Sequence, residues 1–184
     1  MLTGDRAHYA IVAAESLAVI DLPEVPTGAA GLVEVHGKTL LAVGICMPWR
    51  FGAPALPPDA APGATTGPRE WAAVLASLDH GLRRLSRELP DVPLVVGGDF
   101  NQTLGGYVVG SHEGRARLER LLSEHGLITY TSTLPSARAG SAAIDHICGH
   151  AEPVATGWWA APAVPDRTKS ATDHAGYWVD VPPP

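Results

Sequence analysis

From Pro68 onward apolar residues recur at steps of three and four: Trp71, Val74, Leu75, Leu78, Leu82, Leu85 and Leu89. Arg83, Arg84, Arg87 and Glu88 lie mostly off that stripe, so the segment predicts an amphipathic helix with a core-facing leucine side. Pro90 and Pro93 end it, and the continuous apolar run Leu94-Val95-Val96 predicts a central strand buried on both faces. Leu118, Leu121 and Leu122 predict a second helix over 113–126, with Gly126 as its C-terminal stop. Upstream, Leu32-Val33-Glu34-Val35 and Leu40-Leu41-Ala42-Val43 flank His36-Gly37-Lys38, a hairpin in which the glycine accepts a positive φ. Two earlier apolar runs, 9–14 and 17–22, and three later ones, 143–148, 154–160 and 176–181, read as further strands.

Residues 51–67 are rich in Pro and Gly and have no period, which predicts a loop crossing one end of the sheet. With no repeat and no composition break, residues 1–184 form a single α/β domain. A hydrophobic fraction of 46% and a charged fraction of 17% exclude a disordered charged tail, and two Cys exclude a disulfide scaffold. No apolar run reaches the roughly 20 residues of a membrane span, and the N-terminus lacks the basic-then-apolar order of a leader, so a cytoplasmic setting is expected. The net charge of −6 argues against a broad phosphate-tracking surface while leaving room for a local cleft.

Chemistry gathers at three strand ends. Val95-Val96-Gly97-Gly98-Asp99-Phe100-Asn101 runs a strand into two glycines, then presents a carboxylate and an amide two residues apart, on one side if the chain stays extended. Such a pair suits joint work on one ligand: Asp binds a metal or takes a proton from water, and Asn donates to a phosphoryl oxygen. An Asx-turn at a strand end accounts for the same residues. Ile144-Asp145-His146-Ile147 sends its Asp and His to opposite faces, with Asp145 the candidate for the site and His146 a structural histidine. Thr172-Asp173-His174 lies among small turn-forming residues before the last strand, where a turn lets both side chains enter one cleft or simply caps itself. Trp49-Arg50, Tyr107 and Trp158-Trp159 either border a substrate cleft, where a ring stacks on a base or sugar, or pack at sheet edges.

Gly98-Asp99-Phe100-Asn101, Ile144-Asp145-His146-Ile147 and Thr172-Asp173-His174, in this order, resemble the three motifs of the endonuclease/exonuclease/phosphatase family. The resemblance covers roughly residues 32 to 181 and implies a deoxyribonuclease-I-like fold, a two-sheet, four-layer α/β sandwich. It also implies a phosphoester hydrolase dependent on Mg²⁺ or Mn²⁺. Asp99 would then position and deprotonate the attacking water and contribute to the metal. Asn101 would hold a phosphoryl oxygen, Asp173 would bind the metal directly or through water, and His174 would stabilise charge developing on phosphorus, its ring oriented by Asp145. A nuclease-like phosphodiesterase acting on a phosphoester substrate such as nucleic acid is favoured over sphingolipid or inositol substrates, because no segment suggests membrane binding.

The pattern departs from the family in two places. The early Asn strand and the following metal-binding Glu have no counterpart, so the domain reads as N-terminally incomplete; Glu15 lacks the strand context and does not inherit that role. This motivates an alternative, a truncated or degenerate non-catalytic domain of the same fold that binds nucleic acid or a partner protein. Cys46, in Gly44-Ile45-Cys46-Met47-Pro48, stands where many relatives carry a catalytic His and cannot reproduce its donor; it lies in no Cys–His nucleophile signature either.

Overall fold

The computed structural model describes residues 2–3, 10–11, 17–35, 37–48, 68–137, 140–160 and 174–180. In chain order the elements are β1 (Leu2–Thr3), β2 (Ala10–Ile11), β3 (Leu17–Ile20), β4 (Gly28–Val35), β5 (Lys38–Cys46), α1 (Pro68–Glu88), β6 (Leu94–Asp99), α2 (His112–Glu124), β7 (Ile128–Thr129), β8 (Asp145–Gly149), β9 (Ala155–Trp159) and β10 (Gly176–Asp180). A six-stranded sheet of order β3-β4-β5-β6-β8-β7 forms the centre. Only β5 and β6 run parallel, because α1 carries the chain back across the sheet between them; the other neighbours are antiparallel. The pairs β1–β2 and β9–β10 form two small antiparallel sheets, beside β4 and β5 and beside β8 respectively. The predicted loop over 51–67 lies outside the described residues.

The leucine stripe does what its spacing predicts. Trp71, Leu75, Leu78, Leu82 and Leu85 of α1 are buried against Leu41, Val43, Ile45, Leu94, Val96 and Cys148 of the sheet, with Leu118, Leu121 and Leu122 of α2 completing the cluster. Both helices therefore cover one face. Alternation along the strands leaves Cys46, Asp99 and Asp145 on the other. The hairpin is longer than its hydrophobic core suggests, since Gly28-Ala29-Ala30-Gly31 pairs along the far end of β5 although small residues favour strands weakly. Helix α2 starts at His112 under a Ser111 cap, its hydroxyl accepting from the Gly114 amide, and ends two residues before Gly126, which takes φ +64°.

A link from α1 to the β3–β4 connection adds a testable term. Arg84 donates from Nε to Glu24 Oε1 at 2.6 Å, from a terminal nitrogen to Glu24 Oε2 at 3.2 Å, and from the same nitrogen to Asp21 O at 2.8 Å. The guanidinium hydrogen bond holds the Glu24 carboxyl down at about 2, against an ordinary 4.5. A depressed carboxylate stabilises the fold fully above its unfolded pKa and ceases to do so as pH falls through its folded one. Glu24→Gln is therefore expected to cost about 1 kcal/mol at pH 7, a partly solvated bidentate pair being worth no more. The gap from wild type should close between about pH 4.5 and 2, read by urea melts across that range.

Candidate functional site

Three adjacent strands end in one row. The β5–β6 register sets Cys46 beside Asp99, and the β6–β8 register sets Asp99 beside Asp145. The row lies at the carboxyl ends of the parallel pair, where open α/β sheets hold their ligands. Gly98 makes the approach possible: at φ +146° its α-carbon sits so close to the β5 backbone that any Cβ would collide with the Ile45 carbonyl oxygen. Met47 N donates to Asp99 O at 2.7 Å and Phe100 N to Ile144 O at 3.0 Å, so the ends of β5, β6 and β8 are tied immediately beyond the row. His174, just before β10, closes the group. Its Nδ1 donates to both oxygens of Asp145, at 3.0 and 2.9 Å, which fixes the tautomer and the ring plane. One donor atom from each of Asp99, Asp145 and His174 lies within 4.8 Å of the others.

Burial and mutual charge shape the electrostatics. Burial and the facing Asp145 charge raise the Asp99 carboxyl from 3.8 to about 6, against the opposing pull of Asn101's hydrogen bonds and His174. A carboxylate near neutrality is suited to accept a proton at physiological pH. Burial, reinforced by the Asp99 and Asp145 charges, pushes the Cys46 thiol up to about 11, which favours the protonated thiol over the thiolate. Tyr177, whose hydroxyl donates to Pro135 O at 2.9 Å, is raised to about 12 by burial and the Asp145 charge and remains a neutral phenol.

Asn101 occupies the left-handed region at φ +50°, a conformation asparagine tolerates better than most residues. Its backbone amide donates to Asp99 Oδ1 at 2.8 Å, and its side-chain amide to Asp99 Oδ2 at 3.0 Å and Met47 O at 2.8 Å. The expected donor to a phosphoryl oxygen is thus engaged within the protein, and in this arrangement Asn101 positions Asp99. The Asx-turn geometry and the site geometry coincide.

Asp145 and His146 do separate onto opposite faces. His146 is buried, donates Nε2–H to Gln102 O at 2.8 Å, and lies 3.3 Å from Thr131 Oγ1 through Nδ1. Burial lowers its pKa to about 4, so it is a neutral strut. Asp173 falls outside the described residues, as do Glu15, Trp49 and Arg50.

The strut ends in a loop that hydrophobic patterning does not reveal. Gln102 and Thr103 are wholly buried. Gln102 donates to Thr103 O and Val109 O and accepts from Ser111 N, while Arg115 of α2 donates to Thr103 O, Thr103 Oγ1, Gly105 O and Gly106 O. One guanidinium thereby organises the chain after Asn101, leaving Tyr107 exposed on an anchored backbone. The only sequence signal was the run of polar residues directly after the Asp99 motif.

This architecture is similar to that of the endonuclease domain of TRAS1, a telomere-specific non-LTR retrotransposon, with a TM-score of 0.52 at 18% identity over 90% of this chain and 68% of that one. An endonuclease/exonuclease/phosphatase structure from Beutenbergia cavernae gives 0.48 at 16% identity over 89% and 43%, and the human Nocturnin catalytic domain 0.45 at 14% over 83% and 52%. The chain therefore spans about half the length of the latter two. No family model and no curated protein matches the sequence. The TRAS1 likeness establishes the deoxyribonuclease-I-like α/β fold of the endonuclease/exonuclease/phosphatase structures that the three motifs predict. Among the described residues no helix is long and apolar enough to cross a membrane.

Proposed function

We propose that the chain is a divalent-metal-dependent phosphoester hydrolase, a nuclease-like phosphodiesterase. The observation that carries this reading is the convergence of Asp99, Asp145 and His174 within 4.8 Å at the carboxyl ends of the parallel strands. The two carboxylates fit a hard divalent cation, because facing acids that repel each other gain from a shared positive charge. Mg²⁺ or Mn²⁺ held by Asp99 and Asp145, with Asp173 as a further candidate ligand, would neutralise charge on the phosphoester.

The chain's own residues supply the rest. Asp99, aimed by Asn101, orients the attacking water and takes its proton. His174, its ring held by Asp145 through Nδ1–H, would act as an imidazolium whose Nε2–H donates to a phosphoryl oxygen, where negative charge grows in the transition state. Phosphoryl transfer relies on positioning and charge more than on covalent help, so an anchored acid–imidazole arrangement suffices.

Hydrolysis of bis(4-nitrophenyl) phosphate tests the reading. We expect turnover with Mg²⁺ or Mn²⁺, none with EDTA, and loss of at least about a hundredfold in His174→Ala. Turnover that survives chelation and this substitution would falsify it.

A further inference from the structure

His174 belongs to a part of the fold that the main sheet does not hold by its backbone. It lies two residues before β10, and β9 and β10 form a separate two-stranded sheet beside β8. Among the described residues no backbone hydrogen bond joins β9 or β10 to the six-stranded sheet, while Val154 N donates to Asp180 O at 2.7 Å and closes the pair on itself. The large rings serve the hairpin too. Trp159 covers Gly176 and Trp178 covers Gly157, where a Cβ on either glycine would strike the indole, and Trp158, Trp159 and Trp178 stay 42%, 53% and 47% exposed. Side chains must therefore fasten the segment that carries the imidazole.

Among the described residues two hydrogen-bonded side chains do so. His174 Nδ1 donates to the Asp145 carboxylate, and the Tyr177 hydroxyl donates to Pro135 O at 2.9 Å. Pro135 is bridged to Ala142, with Ser136 N donating to Ser141 O at 2.9 Å and Ala143 N to Leu134 O at 3.0 Å, so its carbonyl is fixed to the chain that runs into β8. The spacing matches on both sides. Tyr177 follows His174 by three residues, and Ala142 precedes Asp145 by three. Ile144 O accepts from Phe100 N at 3.0 Å, which ties the same chain to the residue after Asp99. Burial, and after it the Asp145 charge, raises the Tyr177 phenol to about 12, so the hydroxyl stays a donor and lies close enough to sense that carboxylate.

We propose that Tyr177 is a positioning residue that braces the start of β10 against Pro135 and so holds His174 in line with Asp99, an inference that rests on the phosphodiesterase reading. One anchor leaves a segment free to turn about it, whereas two anchors set apart along the chain fix direction as well as place. The Asp145 contact orients the ring, and the Tyr177 contact fixes the backbone that carries it. Placement matters here because a hydrogen bond from a charged donor to growing phosphoryl charge weakens steeply with distance and angle. The Tyr177 hydroxyl is engaged with a backbone carbonyl, so it acts through His174 and takes no part in the reaction itself.

Tyr177→Phe keeps the ring and deletes the donor, which makes it the test. With Mg²⁺ and bis(4-nitrophenyl) phosphate, kcat should fall roughly three- to tenfold, the range of one neutral hydrogen bond, while KM stays within about twofold. Long-range proton–nitrogen spectra of histidine-labelled, metal-free protein report the ring directly. The His174 signals, assigned by their loss in His174→Ala, should shift in Tyr177→Phe by more than those of His146, which lies on the opposite face of β8. Glu24→Gln removes a hydrogen-bonded link far from the row, at α1, and should leave kcat and the His174 signals unchanged. That control separates positioning from a general loosening of the fold. An unchanged kcat in Tyr177→Phe, a loss of kcat matched by Glu24→Gln, or His174 signals that stay in place would each overturn the brace. The two readings fail separately: hydrolysis indifferent to Tyr177→Phe overturns the brace alone, whereas a chain that hydrolyses nothing, yet whose His174 signals move in Tyr177→Phe, overturns the phosphodiesterase reading and supports the brace.

Discussion

Asp99→Asn is expected to lower phosphodiester hydrolysis by about 10²–10⁴-fold, the usual worth of a general base, while the melting temperature moves by only a few degrees. The two halves of this expectation come from different parts of the same geometry. Asparagine keeps the shape of the side chain but cannot take a proton, so the attacking water loses its acceptor. For stability, two effects oppose each other. Asp99 and Asp145 are adjacent in the β6–β8 register, and burial together with that neighbour raises Asp99 to about 6, so removing one charge relieves repulsion. Against this, the substituted amide accepts at one oxygen where the carboxylate accepted at two, so either the Asn101 backbone amide or its side-chain amide loses a partner. Each effect is about 1 kcal/mol, and a net change of that size shifts the melt of a chain this long by roughly 2–4 °C. Activity and thermal melts measured on one preparation check both. Hydrolysis within tenfold of wild type would remove Asp99 from the proposed chemistry.

The parts of the molecule that were legible in the sequence are those where one physical signal acts alone. The α1 stripe reads as core because its leucines meet nothing but other apolar groups, and Asp145 and His146 read as opposite-facing because strand alternation allows nothing else. The strands flanking the hairpin extend further than predicted because Ala29, Ala30 and Gly31 acquire strand geometry from pairing with β5 and not from their own preference. Two-residue β7 carries no pattern at all; it exists because the chain leaving α2 passes the edge of β8. The site divides in the same way. Its acids and imidazole announce themselves as strand-end motifs, but the inward turn of Asn101 depends on the position of the Met47 carbonyl, a residue 54 positions away. Gln102, Thr103 and Arg115 form a polar interior that composition marks as surface, and the Arg115 guanidinium together with the neutral His146 bonded to Gln102 O holds that loop in one shape.

Gly98→Ala is expected to be the most damaging single-methyl change in the site, at about 3–5 kcal/mol, equivalent to a fall in melting temperature of roughly 6–20 °C. The added carbon points at the Ile45 carbonyl oxygen, which is backbone and has no rotamer to yield. Relief requires β6 to move away from β5, yet the two strands are paired from Leu41 and Leu94 to Cys46 and Asp99. The φ of +146° adds to the strain, since an L side chain rarely adopts it. Gly97 separates this effect from a general intolerance of side chains in the strand: a Cβ there meets nothing nearer than His146 O at 3.7 Å, so Gly97→Ala should cost less than about 1 kcal/mol. The displacement in Gly98→Ala also falls on the residue immediately before Asp99, so hydrolysis measured well below the melting temperature should decline as well, the acid being held out of line with His174. Equal melts for the two alanine variants would show that the close approach of β5 and β6 is not what fixes Asp99 in place.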